Sequence, residues 1–273
     1  FIRVEDVCCI YFLVASYKVE VNIIEENEEM DTMSVKRWIR EEILKRGFNG
    51  TCGVTSFSDV YNDLMPVQRR EVEKICGDNI NIFLNKGSFI SIALFHTENA
   101  VKSINVVRDG KVDYEKWNFY ADEYHVINNV LNDVCSKLTS ALNGVPLKAT
   151  LELGKVRSVE EYYPFAKISH RVVAEHAGIG ARGKSELIVT KQNGPALRLN
   201  SFITPIELTR DKKVEDLCGD CRACLDSCRI LLRKTELQNY RQQCMQKINA
   251  LNLRYPVCGI CVKACYESGS WRK

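Results

Sequence analysis

Cys218-Gly-Asp-Cys221-Arg-Ala-Cys224-Leu-Asp-Ser-Cys228, then Cys244 alone, then Cys258-Gly-Ile-Cys261-Val-Lys-Ala-Cys265: eight of the chain's thirteen cysteines stand in its last fifth. A cubane iron–sulfur cluster needs four thiolates around a tight cage. A C-x2-C-x2-C-x3-C run supplies three of them from one loop, and its fourth cysteine turns to a second cluster where two are present. The spacing therefore assigns Cys218, Cys221, Cys224 and Cys265 to one 4Fe–4S cluster. It assigns Cys228, Cys244, Cys258 and Cys261 to another. The eight ligands divide into two fours with none left over.

Zinc and disulfides are the alternatives. Paired C-x2-C units also build zinc ribbons, but zinc has no use for a third cysteine at the next x2 step and a fourth at x3. Disulfides need an oxidising compartment and favour small domains. The other cysteines here (Cys8, Cys9, Cys52, Cys76 and Cys135) are scattered through a longer chain. The proline that usually follows such a run is replaced by Arg229 after Cys228 and by Tyr266 after Cys265. Proline only stiffens the loop exit, so the ligand pattern survives its loss.

The 273 residues suit one large domain or two smaller ones. Hydrophobic residues at 45% and charged residues at 27% are the balance of a globular protein able to bury its own core. A net charge of +3 gives no licence for a nucleic-acid argument. The basic residues around the cysteines are Arg222, Arg229, Arg233, Lys234, Lys263, Arg272 and Lys273. Their plain role is to offset thiolate-ligated iron; the sharper one is to steer an acidic electron donor. The apolar stretch from Val7 to Ala15 is too short to cross a bilayer and lacks a signal-peptide pattern. The first residue is Phe1 rather than Met. Oxygen-sensitive clusters and reduced thiols point to the cytoplasm.

Upstream, residues 1–32 read as a poorly organised segment, with a possible strand at Val19–Ile24 and an acidic turn from Glu25 to Asp31. Ser34–Lys45 reads as a helix with Val35, Trp38, Ile39, Ile43 and Leu44 on one face. Thr51–Val60 reads as a strand followed by a loop. Phe89–Phe95 is apolar nearly throughout and is expected inside a sheet. Asp122–Leu142 is the clearest helix: Ile127, Val130, Leu131, Val134, Leu138 and Leu142 recur at helical spacing, and Asn143-Gly144 closes it. Cys135 lies on or beside that face as a core residue. Ala149–Leu153 is a further strand, and Ile168–His176 a short helix ended by Gly178. Leu187–Thr190 and Leu197–Ile203 are strands flanking the Asn193-Gly194-Pro195 turn. Thr235–Ala250 is a polar helix carrying Cys244. This order gives an α+β core over 33–210 and a two-cluster, ferredoxin-like module over 211–273.

Ala174-Glu-His-Ala-Gly178-Ile-Gly180-Ala-Arg-Gly183-Lys184-Ser185 is the second informative stretch. Three glycines in six residues permit positive φ and close backbone approach. The spacing is neither a Rossmann fingerprint nor a P-loop, and its plain reading is a helix cap followed by a tight turn. Taken with the Leu-Ile-Val-Thr strand, with Gly194-Pro195-Ala-Leu-Arg198 through Leu208, and with the cysteine runs, it resembles the epoxyqueuosine reductases and the reductive dehalogenases. Both families carry an A-G-x-G-x-x-G-[KR] element there. The resemblance covers roughly Thr51 to Cys265 and is specific from Ala174 onward.

That resemblance implies a nitroreductase-like core holding a corrinoid (cobalamin) beside the proximal cluster. Gly178, Gly180, Gly183 and Lys184 would line the corrinoid, with Arg198 and Ser201 near it. Electrons from a low-potential donor of the ferredoxin or flavodoxin type would enter at the distal cluster and pass to the proximal one, then reduce cobalt to its nucleophilic Co(I) state. The substrate would be a small molecule or a modified nucleoside. Counting back from Gly178 to the place where epoxyqueuosine reductases carry an acidic proton donor reaches Pro164, which has no proton to give. Tyr162, Tyr163 and His170 are the nearby substitutes, against a plain reading of the tyrosines as core aromatics and of His170 as structural. The chain also stops soon after Cys265, without the extension that helps those enzymes hold tRNA, so a tRNA partner is the weaker expectation. Two other functions stay open: an electron carrier without corrinoid that serves a partner enzyme, and a protein whose clusters are folding staples or redox sensors.

Overall fold

The computed structural model describes residues 31–149 and 166–272. The expectations for residues 1–30, for Tyr162 and Tyr163, and for most of the Ala149–Leu153 strand lie outside the described residues.

A four-stranded antiparallel sheet organises the fold. It comprises β1 (Gly50–Ser56), β2 (Ser88–Phe95), β8 (Leu197–Thr204) and the short β5 (Val145–Pro146), in the spatial order β1-β2-β8-β5. The apolar run of β2 follows from its interior place in a sheet covered by helices on both faces, so neither set of alternating side chains meets solvent. Alternation along β2 and β8 then distributes side chains to two faces. Phe89 pairs with Ile203 and Ala93 with Leu199. Both pairs pack toward α7 (His170–His176), Phe89 and Ile203 together with α2 (Phe57–Asp63), α3 (Pro66–Cys76) and α4 (Ile80–Lys86). The opposite face of β8 carries Arg198 and Asn200, which reach Asn128 and Asn132 on α6 (Tyr114–Leu142).

The α6 helix starts where the Asp113 side chain accepts the Lys116 N–H, and stops at Asn143 in the left-handed region (φ 45°). Ile127, Leu131, Val134, Cys135, Leu138 and Leu142 are buried along one stripe. The helix α1 (Thr32–Lys45) buries Val35, Ile39 and Ile43 but leaves Leu44 exposed. The segment after Ser56 is a helix rather than the expected loop. The Ser56 hydroxyl accepts the Asp59 N–H, and the helix then buries Phe57 and Val60 against Phe83 and Phe89. Gly178 closes α7 at φ 67°. Beyond it β6 (Ala181–Arg182) pairs with β7 (Ile188–Val189).

The cysteine runs sit on short helices: α8 (Ala223–Asp226), α9 (Arg229–Leu232), α10 (Tyr240–Ala250) and α11 (Ile260–Ser268). The α10 helix begins later than expected because the Asn239 side chain caps it by accepting the Gln242 N–H. The cysteine region is not a loose appendage: Asp31–Lys273 is one compact unit. Asp211, in the connecting segment, binds Lys36 at 2.6 Å and accepts the Val54 N–H at 2.8 Å. Among the described residues no helix is long and apolar enough to cross a membrane.

Candidate functional site

Neighbouring charge links Cys265 with Cys218, Cys221 and Cys224, and Cys244 with Cys228 and Cys258, and the two groups meet at Cys261 and Cys224. Burial raises the Cys224 thiol, and so do the charges of Cys218 and Cys221 beside it. Burial, followed by Cys224, Cys218 and Cys221, pushes Cys265 up to about 12. In the second set burial, followed by Cys258 and Cys228, pushes Cys244 up to about 11. Cys261 is raised by burial and then by Cys258, Cys244, Cys228 and Cys224. All eight are free thiols. Among the described residues no three His, Cys, Asp or Glu side chains converge as a site for a single metal ion.

The first set is held from several sides. Lys184 Nζ donates to the carbonyl oxygens of Gly219 at 2.6 Å and Cys221 at 3.0 Å. Trp271, buried, donates to the Cys265 carbonyl at 3.2 Å. A Cβ on Gly194 would lie 2.6 Å from that indole, so the Asn193-Gly194-Pro195 turn is built to receive it. Hydrogen bonds from Ser270 and the Ala223 N–H favour the Cys221 thiolate, while the Ser268 hydroxyl donates to the Cys265 carbonyl oxygen at 2.7 Å. The second set is fixed from the core. Gly259 adopts φ 81°, and a Cβ there would stand 2.6 Å from the Tyr120 ring, so only glycine lets this loop lie on α6.

A cavity of about 400 Å³ opens beside the second set, a volume in the range of small-molecule sites. Cys228, Cys244, Cys258 and Cys261 all line it. Its other walls include Tyr120, Tyr124, His170, Ser185–Ile188 and Arg198. The Arg198 guanidinium lies 4.1 Å from the Tyr124 ring centre, and its Nε donates to Asn128 Oδ1 at 3.0 Å. That geometry fixes a cation in a mainly apolar wall.

His170 is buried between two partners. Nε2 lies 3.0 Å from the Lys148 carbonyl oxygen, which can only accept, so Nε2 carries the proton. Nδ1 therefore accepts from the Ser201 hydroxyl at 2.9 Å. Burial lowers its pKa to about 4, so the ring is neutral near pH 7. Ser201 acts through His170 and does not itself line the cavity.

The glycines expected at a corrinoid pack closely against backbone and side chains. A Cβ on Gly178 would meet the Lys212 carbonyl oxygen at 2.3 Å, and one on Gly180 the Val189 carbonyl oxygen at 2.2 Å. Gly183 would meet Val189 Cγ2 at 2.8 Å and Cys218 Sγ at 3.2 Å. None of the three, nor Lys184, lines the cavity. Of the six residues expected at the corrinoid, Arg198 does.

Sequence reasoning missed Tyr120, Tyr124 and Asn128, whose helical spacing on α6 reads as core. It also missed His96, whose buried Nδ1 lies 2.8 Å from Glu123 Oε1 and whose ring lies 4.6 Å from that of Tyr120. Burial lowers the His96 pKa despite Glu123. A histidine ending a buried strand was the only available signal.

No family model matches the sequence. The curated epoxyqueuosine reductase of Bacillus cereus is 31% identical over 145 residues, 52% of this chain and 34% of that protein. That of Listeria monocytogenes is 31% identical over 151 residues, 54% of this chain and 36% of that protein. That of Vibrio cholerae is 39% identical over 84 residues, 30% and 22% of the two chains. The matched segment is thus 34% to 36% of the length of the first two relatives. Among solved structures, the epoxyqueuosine reductase from Streptococcus thermophilus aligns with TM-score 0.48 at 21% identity, over 87% of this chain and 67% of that one. An epoxyqueuosine reductase with a modified tRNA stem loop aligns with TM-score 0.43 at 22% identity, over 73% and 52%. Over about half of its length the chain is thus similar in sequence to the epoxyqueuosine reductases.

Proposed function

We propose that the chain is an iron–sulfur reductase of the epoxyqueuosine reductase type. The observation that carries this reading is the division of eight sulfurs into two sets, one under the half-exposed Cys218 and Cys221, the other lining a cavity. Cys218, Cys221, Cys224 and Cys265 would hold one 4Fe–4S cluster on the side where a donor can dock. Cys228, Cys244, Cys258 and Cys261 would hold the other, against the cavity. The cavity, with its mainly apolar walls and the cations Arg171, Arg198, Arg241 and Lys247, is where substrate would meet the exposed edge of a corrinoid, since about 400 Å³ is too small to enclose a whole one. Bound there, the clusters and corrinoid supply low-potential electrons and a reactive metal centre, whose chemistry the protein positions rather than performs.

The chain's own residues orient and shield. Arg198 presents a fixed positive charge to an anionic or electron-rich edge of whatever occupies the cavity. His170 spends its proton on the Lys148 carbonyl and holds the Ser201 hydroxyl, so it orients the wall and is not poised to donate. Burial keeps the Tyr120 phenol protonated. Its hydroxyl is the wall's candidate proton source, alongside Tyr162 and Tyr163 from the sequence. The substrate is a modified nucleoside, free or carried on tRNA, or a small molecule of comparable size.

The packed backbone at Gly178 and Gly180 favours a second reading, an electron carrier without corrinoid. Corrinoid titration of anaerobically prepared protein, followed by turnover with epoxyqueuosine as nucleoside and within a tRNA stem loop, separates the two. Saturable binding and turnover support the reductase. Loaded clusters with neither leave the carrier.

A further inference from the structure

Three consecutive residues, Gly183, Lys184 and Ser185, meet three of the four sulfur ligands of the first set or their backbone. Gly183 leaves room at Cys218, where a Cβ would stand 3.2 Å from Sγ. Lys184 straps the Cys218–Cys221 loop through two carbonyl oxygens, at 2.6 and 3.0 Å. The Ser185 hydroxyl, itself buried, lies beside the Cys224 sulfur and favours its thiolate. The cradle is braced from behind. Lys234 Nζ donates to the Lys184 carbonyl oxygen at 2.8 Å and to Glu186 Oε1 at 2.8 Å, and Arg171 donates to the Glu186 carbonyl oxygen at 2.6 Å.

We propose that Gly183-Lys184-Ser185 is a cradle for the first cysteine set, in which Lys184 and Ser185 are positioning residues that raise the reduction potential of the cluster held there. The proposal rests on the cluster reading above. Reduction adds an electron to an already anionic iron–sulfur thiolate centre. A nearby ammonium group and a hydroxyl beside sulfur stabilise that added charge, so they favour the reduced state. The cradle's hydrogen bonds go to the first set, while Ser185 also lines the cavity beside the second, so the larger shift falls on the first cluster.

The test is an EPR-monitored redox titration of reconstituted wild type, Lys184→Gln, Lys184→Arg and Ser185→Ala. Cys221→Ser identifies which signal belongs to the first set. Lys184→Gln and Ser185→Ala are expected to shift that signal to a more negative potential and to shift the other less. Lys184→Arg is expected to restore most of the shift. Selective loss of the first cluster in Lys184→Gln equally supports the strap. Unchanged potentials with full iron in both variants, or equal shifts of both clusters, overturn the proposal. A metal-free arm keeps it separate from the cluster reading: amide exchange of residues 218–224 is expected to quicken in Lys184→Gln while that of residues 257–265 does not. Identical exchange in both variants and wild type overturns the cradle even where iron never loads.

Discussion

Trp117 Nε1 donates a 2.8 Å hydrogen bond to the Cys258 carbonyl oxygen, so the long core helix holds the second cysteine run directly. The Trp117 side chain is 1% exposed. Trp117→Phe removes the donor, leaves that carbonyl unpaired and opens a small void. The expected cost is about 2–3 kcal/mol of unfolding free energy, with earlier loss of the second cluster than the first on mild chelation. Denaturant midpoints and chelation kinetics measure it; unchanged stability would show that the core does not brace this run.

Gly178→Ala tests the packing role of the glycine turn. Its φ is 67°, and the new Cβ would stand 2.3 Å from the Lys212 carbonyl oxygen. We expect at least about 2 kcal/mol of destabilisation, with any retained corrinoid affinity unchanged in the folded fraction. A variant of wild-type stability that loses corrinoid binding would instead place this glycine at the cofactor.

His170 predicts a pH dependence. Its folded pKa, about 4, lies below the ordinary value of 6.5, so the unfolded chain binds a proton between the two and the folded chain does not. Stability is therefore fully present above about pH 6.5 and falls as pH drops toward 4, by about 2 kcal/mol at pH 5. His170→Gln should flatten this slope between pH 7.5 and 5 in chemical denaturation. An equal slope in the variant contradicts the assignment.

Arg198→Met removes the pinned cation but keeps much of the apolar stem. If the cavity holds the proposed ligand, affinity should fall by about tenfold, a loss on the order of 1.4 kcal/mol. Arg198→Lys should recover little, because lysine cannot both cover Tyr124 and reach Asn128. Titration by absorbance decides it, and undiminished affinity in Arg198→Met would remove Arg198 from the site.

The cysteine spacing makes a proposed ligand set readable because residue identity and order along a loop are local facts. The course of α6 was legible for the same reason, since a sustained apolar stripe specifies one face. What Gly178, Gly180 and Gly183 approach was not, because close backbone contact fixes that glycine is required and not what lies opposite. The helix at Phe57–Asp63 was missed although Ser56 and Asp59 gave its cap; the preceding apolar strand masked it. Tyr124 and Arg198 come together only through the packing of β8 against α6, a relation between distant segments with no local signature.

The central claim is that the two sulfur sets hold two iron cubanes. Anaerobic purification with iron, sulfide and zinc analysis, combined with Mössbauer spectroscopy, tests it most directly. The account predicts about eight iron and eight sulfide per chain with a 4Fe–4S spectrum, falling to about four of each in Cys221→Ser. Stoichiometric zinc, or intact protein that takes up neither iron nor sulfide, would contradict it.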